Sequence, residues 1–178
     1  WAASIESDDS LWRSYTYRGT ALEPPGSNNP TLYNEFVLGL LDAGEILLDD
    51  LHVIEDPDGI ARDLIQNSTF ESDSIGTTFG GNGVGTWRIY GNHFGTVVTD
   101  PDNPSNKVLN LRASGVIGAH HNRGETTFKS GGSFVQVVPG REYEISFRAR
   151  WVGGSNLFNT RIYWNSAPRS AHRAAAGA

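Results

Sequence analysis

The sequence contains no cysteine and no methionine, and these absences narrow the classes of protein to which it can belong. Without cysteine, neither a disulfide framework nor thiol chemistry is possible. The chain begins at Trp1 without methionine or a signal-peptide pattern, so we expect a processed product or an excised part of a longer protein. No apolar run approaches the roughly 18 residues of a membrane-spanning helix, so no membrane span is expected. The net charge of −6 leaves no basic stripe for nucleic acid.

What the sequence does contain is a series of short apolar segments divided by turn residues, with 21 glycines and 8 prolines among 178 residues. In residues 141–152, Tyr143, Ile145 and Phe147 alternate with polar side chains, which predicts a strand with one buried and one solvent-facing side. About ten such strands and little helix predict an all-β, jelly-roll-like antiparallel β-sandwich. The other candidate strands are 11–21, 31–41, 43–55, 64–71, 86–91, 95–100, 107–114, 133–138 and 159–165.

Two groups of motifs resemble parts of one known kind of module. The first group is similar to the opening two-thirds of a carbohydrate-binding module of the family four and nine type, and it comprises "LIQNSTFES", "GTWRIYGNH", "VLNLRASG" and "VVPGREYEISFRARW". The second group, "WRSYTYRGTA" and "GEILLDDLHV", resembles the closing third of that module. The motifs of the first group also resemble modules of large bacterial surface proteins that carry lamin-tail and spore-coat-kinase-like domains. The resemblance implies a galactose-binding-like jelly roll and a location outside the cell, at the cell surface.

The order of the two groups is reversed with respect to the family. Residues 11–55 carry the closing strands, 56–63 a linker, 64–165 the opening two-thirds, and 166–178 a flexible tail. Half a sandwich would expose unpaired strand edges, so another segment or another chain must supply the missing strands. Three arrangements are open: the two segments complete each other as a permuted sandwich, residues 11–55 complete a neighbouring chain, or residues 11–55 finish an upstream module.

This reversal favours a structural function. A chain that donates strands head to tail builds an open filament, so we expect a non-catalytic assembly subunit whose partners are further copies or adjoining modules of a larger protein. The alternative is a carbohydrate-binding module that attaches a larger surface protein to extracellular polysaccharide. An enzyme is not expected, because the sequence has no G-x-S-x-G elbow and no phosphate loop that opens a helix.

A structural calcium ion is the one cofactor that the resemblance implies. Modules of this kind often hold Ca²⁺ where an "FE" motif meets an "LDD" motif, which here implicates Glu71 with Asp50 or Asp49. The alternative is that these acids only solvate the ends of strands.

Sugar recognition requires flat rings beside planar hydrogen-bonding groups. Six polar residues are candidates for this role: Arg88, His93, His121, Asn122, Arg148 and Arg150. The aromatic residues nearest to them in sequence fit a sandwich core better than a ligand site, and they are Trp87, Tyr143, Phe147 and Trp151.

Overall fold

The structure, a computed structural model, describes residues 2–7, 10–22, 33–80, 86–118 and 122–164, and it is all-β. None of these residues is helical, and the strands are antiparallel. The all-β sandwich that the sequence predicts is therefore confirmed, while the specific jelly-roll topology stays a prediction. In chain order the strands are β1 (Ala2–Ser4), β2 (Arg13–Thr20), β3 (Tyr33–Leu40), β4 (Gly44–Glu55), β5 (Arg62–Asp63), β6 (Thr78–Phe79), β7 (Arg88–Tyr90), β8 (His93–Asp100), β9 (Asn103–Ala113), β10 (Arg123–Thr127), β11 (Lys129–Ser130), β12 (Ser133–Phe134), β13 (Glu142–Gly154) and β14 (Leu157–Trp164).

Two sheets pack face to face. The seven-stranded sheet has the order β2-β13-β4-β9-β8-β6, with β5 beside β4. The five-stranded sheet has the order β1-β14-β3-β10-β7, and β11 and β12 form a small separate hairpin. Because side chains alternate along a strand, each sheet turns one set of side chains inward and the next set outward. The inward set is largely apolar.

The core lies between the two sheets and is rich in aromatic rings. Phe147 of the seven-stranded sheet meets Phe158 of the five-stranded sheet edge to face, with ring centroids 5.1 Å apart. Trp87, Tyr143 and Phe147 are buried, as the alternation in the sequence predicts. Trp151 differs from these three, because it is only half-buried and packs against the margin of the core.

The segments that appear in reversed order pair with each other within this chain. Strand β4 lies between β13 and β9, and β3 lies between β14 and β10. The register sets Val53 opposite Ile145 and Ile46 opposite Trp151, so residues 45–54 and 143–151 lie in neighbouring strands of one sheet. Whether a neighbouring chain supplies these strands in solution stays a prediction.

Residues 56–63 form a tight turn that leads straight back onto β4. The carbonyl of Asp56 accepts hydrogen bonds from the N–H groups of Gly59 and Ala61, and β5 then pairs with the end of β4. The tail, 166–178, lies outside the described residues.

Three segments differ from the strands that the sequence predicts. Residues 64–71 form a turn in which Asn67 and Phe70 have φ angles of 53° and 58°, which are outside the β region. In 133–138 only two residues are in a strand. No strand is predicted for 122–127, yet β10 lies there in the five-stranded sheet, between β3 and β7.

Candidate functional site

The outer face of the seven-stranded sheet gathers polar side chains from its central strands. On β13 the alternation turns Ser146, Arg148 and Arg150 away from the core. On β4, Asp49 and His52 face the same way because a bulge at Asp50, where φ is 48°, interrupts the alternation between them. Central strands of a sheet hold their side chains on a rigid backbone, so groups on this face have fixed spacing.

The centre of the outer face is a hydrogen-bonded group around Arg148. The guanidinium lies 3.2 Å from Asp49 Oδ2 and stacks on Trp12, with 4.7 Å from its Cζ to the ring centroid. Asn106 donates hydrogen bonds to Asp49 and Asp100, and the Trp12 indole N–H donates to Asp100 at 3.0 Å. Burial raises the pKa of Asp49, although the hydrogen bond from Asn106 opposes this effect. These contacts hold the planar guanidinium of Arg148 stacked on the ring of Trp12.

A cleft of about 400 Å³ lies on one side of this group. Arg150 NH1 lies 2.9 Å from Asp102 Oδ2, but this contact lacks hydrogen-bond geometry, and this buried nitrogen has no hydrogen-bond acceptor among the residues that the structure describes. Nearby, Asn110 donates to Glu45 Oε1 at 2.7 Å. The lining residues are Ser10, Glu45, Leu47, Thr99, Pro101, Asn110, Arg150, Trp151 and Val152.

A second cleft of about 350 Å³ lies on the other side of Arg148 and contains His52. The hydrogen bond between His52 Nδ1 and Asp63 Oδ2, 2.6 Å long, raises the pKa of the imidazole. The register places Ser146 directly opposite His52, which brings together the three residue types of a hydrolytic triad. In the described part of the chain, however, the Ser146 hydroxyl makes no hydrogen bond to the His52 ring. The expectation that the protein is not an enzyme stays a prediction.

Of the five predicted sugar-binding residues that the structure describes, two, Arg148 and Arg150, lie together on this face. Arg88 lies on the outer face of the other sheet, where its NH2 group is 3.1 Å from Glu35 Oε1 and 2.6 Å from Glu125 Oε1. The Arg88 guanidinium is thus ion-paired with the buried carboxylates of Glu35 and Glu125, on the opposite side of the molecule from the two clefts.

Neither His93 nor Asn122 lies on the outer face of the seven-stranded sheet. His93 is 1% exposed, and its Nε2 accepts a hydrogen bond from the N–H of Leu40 at 2.9 Å. Burial lowers the pKa of His93 to about 4, so it is neutral at physiological pH. Asn122 accepts a hydrogen bond from the N–H of Asn92 at the start of β10, and His121 lies outside the described residues.

The three predicted calcium ligands do not converge. Asp49 and Asp50 both face Arg148, at 3.2 and 3.5 Å from its NH1 group. Glu71 Oε1 instead accepts a hydrogen bond from the N–H of Lys107 at 2.7 Å. Within the described ranges, no three acidic or histidine side chains are close enough to hold a metal ion together. A calcium ion bound by Glu71 with Asp50 or Asp49 stays a prediction.

Trp12, Asn106 and Asn110 are parts of the site that the sequence analysis did not select. Asn110 follows from alternation, because it lies between the buried Leu109 and Leu111 on β9. Trp12 and Asn106 have no such signal, since their positions beside Arg148 depend on how distant segments pack.

Comparisons with protein-family models, curated proteins and solved structures find no match to this chain. The resemblance to carbohydrate-binding modules therefore stays a prediction. Among the described residues, no helix is long and apolar enough to cross a membrane.

Proposed function

We propose that this chain is a non-catalytic, extracellular carbohydrate-binding module that holds polysaccharide on the outer face of its seven-stranded sheet. The observation that carries the proposal is the first cleft, which is lined by Arg150, whose guanidinium lies 2.9 Å from Asp102 Oδ2, among polar and aromatic side chains. A planar cation held at a cleft by a carboxylate can donate charge-assisted hydrogen bonds to sugar hydroxyls. Trp151 and Asn110 line the same cleft and supply a flat ring and a planar amide, which suit a sugar.

The charges around the two clefts favour a neutral polysaccharide. The two arginines are balanced by carboxylates: Arg148 is paired with Asp50 and Arg150 with Asp102, and Glu45 adds a further negative charge. With a net charge of −6 for the whole chain, a polyanion would be repelled rather than attracted. The ligand class that fits is therefore an uncharged sugar polymer.

Affinity electrophoresis tests this proposal with a β-glucan, a xylan and a mannan as neutral polysaccharides and pectate as the polyanion. We expect at least one neutral polymer to retard the protein. Arg150→Ala should weaken binding about tenfold or more, because a charged hydrogen-bond donor is lost. Arg18→Ala is the matched control, since Arg18 is exposed on edge strand β2 and pairs with Asp58 and Glu144. Binding by Arg150→Ala equal to that of the unaltered protein would contradict the proposal, as would no retardation by any neutral polymer.

A second proposal, assembly by strand exchange, is supported by the pairing of the two segments. Strands β3 and β4 lie between strands of the later segment and are joined to it by the short turn at 56–61. If this turn opens, the same contacts form between neighbouring chains, and repeated head-to-tail exchange yields a filament.

Size-exclusion chromatography and negative-stain microscopy over a wide concentration range test the assembly proposal. Exchange predicts species that grow with concentration and uniform filaments on the grid. Monomers at every concentration would reject exchange in favour of a self-contained permuted sandwich, and they would leave the proposal of sugar binding unaffected.

A further inference from the structure

The ammonium group of Lys107 lies where two backbone carbonyls of a turn converge. Its Nζ donates hydrogen bonds to the carbonyl oxygen of Glu71 at 2.9 Å and to that of Asp73 at 2.7 Å. The backbone N–H of Lys107 donates to Glu71 Oε1 at 2.7 Å. One residue of β9 thus binds the turn through three contacts, two of them made by a cation.

The turn bound in this way closes one end of the core. Phe70, at its centre, is fully buried and packs on Trp87 and Phe79, with ring centroids 5.8 and 6.5 Å apart. The carbonyl of Ser68 accepts a hydrogen bond from the N–H of Leu51 on β4. Because Phe70 has a positive φ angle of 58°, the backbone here is strained and needs contacts from outside the turn to hold it.

We propose that the Lys107 ammonium is a built-in cation that performs the structural role for which the resemblance implies calcium. Carbonyl and carboxylate oxygens are the ligands that Ca²⁺ takes, and here the two carbonyls already bind the ammonium. Asp49 and Asp50, which would complete a calcium shell with Glu71, face Arg148 instead. The stability of the turn is therefore independent of calcium. This inference does not depend on sugar binding, and it is the opposite of the calcium prediction made from the sequence.

The first test uses the unaltered protein. After treatment with EDTA and dialysis, its melting temperature should be the same with and without millimolar CaCl₂. A melting temperature that falls with EDTA and recovers with CaCl₂ would overturn the proposal, because a ligand that binds only the native state stabilises it by mass action.

The second test replaces the ammonium. Lys107→Met keeps the length of the side chain but leaves two converging carbonyls without a cation, so we expect the melting temperature to fall by about 4–8 °C. Lys129→Met is the matched control: Lys129 is the other lysine of the chain, and its Nζ only lies over the Phe134 ring at 5.0 Å. An equal effect of the two substitutions would overturn the proposal.

A local measurement keeps the test decisive if Lys107→Met does not fold. Lys107→Arg retains the positive charge and should preserve slow amide hydrogen exchange in 67–73, whereas Lys107→Gln should accelerate exchange there while β13 stays protected. Exchange in this turn that is identical in the two variants would count against a role for the charge.

Discussion

A fragment that lacks residues 1–57 is expected to be insoluble or molten. The deletion removes β1 to β4, so that β13 and β14 lose both neighbouring strands and β5, β9 and β10 each lose one. It also removes the fully buried side chains of Ile46, Leu48, Leu51 and Val53 from β4. At about 1.5–3 kcal/mol for each buried side chain, these four residues alone contribute on the order of 6–12 kcal/mol. That is comparable with the whole stability of a domain, which is about 5–15 kcal/mol.

Near-ultraviolet circular dichroism and amide NMR spectra of the 58–178 fragment check this expectation. Adding a separately produced 1–57 segment should restore a dispersed spectrum, because every contact that the fragment has lost is made by that segment. A fragment that is monomeric and well folded without the added segment would show that β3 and β4 are dispensable and would contradict the pairing described above.

Replacement of Glu55 by glutamine is expected to destabilise the protein by about 2–4 kcal/mol at neutral pH. The Glu55 carboxylate is fully buried and accepts hydrogen bonds from Arg62 Nε and Arg141 NH1, both at 2.7 Å, and from the Tyr143 hydroxyl at 3.2 Å. Removing one partner from a buried ion pair costs about 3–5 kcal/mol. We expect somewhat less here, because the side chains of Arg62 and Arg141 are 37% and 38% exposed and water can take over part of their solvation.

The effect of Glu55 should disappear in acid. Burial opposes ionisation of this carboxyl, but the hydrogen bonds from Arg141 and Arg62 outweigh burial and hold its pKa below the usual 4.5. A group whose pKa is lower in the folded state stabilises that state above its unfolded pKa, and this contribution is lost as the pH falls through the folded pKa. The melting temperatures of the unaltered protein and Glu55→Gln should therefore differ at pH 7 and converge below about pH 4.

Glu142→Gln is the control for this pH series, because the Glu142 side chain is 45% exposed and lies on the neighbouring strand. It should change the melting temperature little at any pH. A difference between Glu55→Gln and the unaltered protein that persists undiminished at pH 3 would contradict the assignment of the effect to ionised Glu55.

The sequence predicts β13, whose inward positions are apolar, but it does not predict β10, whose inward positions are not. On β13, the alternating apolar residues Tyr143, Ile145 and Phe147 predict both the strand and its buried side. On β10 the inward positions are Gly124 and Thr126, and no apolar alternation marks the strand. Gly124 is required there because a side chain would collide with Leu38 Cδ1, a contact that only the folded structure reveals.

The candidate site was partly predictable for the same reason. Arg148 and Arg150 follow from alternation on β13, which turns both to the outer face. His93 was expected at a sugar site, but it occupies an inward position of β8 in line with Gly95 and Val97, and its polar atoms are satisfied inside the protein. Alternation gives the side of a sheet on which a residue lies, but it does not give the neighbours that packing from distant segments provides, such as Trp12 on Arg148.

The position of β4 in its sheet has a consequence for how the protein reaches this structure after synthesis. Glu45 pairs with Arg112, and Val53 pairs with Ile145, so apart from the two-residue pairing with β5, both edges of β4 find their partners only about 60–90 residues later in the chain. Such distant pairings fold slowly, because the entropy of loop closure is lost before any contact forms. At about 5–20 residues per second, a ribosome needs roughly 5–20 s to extend the chain from β4 to the end of β13. For that time the apolar side of β4 is exposed on the nascent chain, where unpaired apolar strands are prone to aggregate.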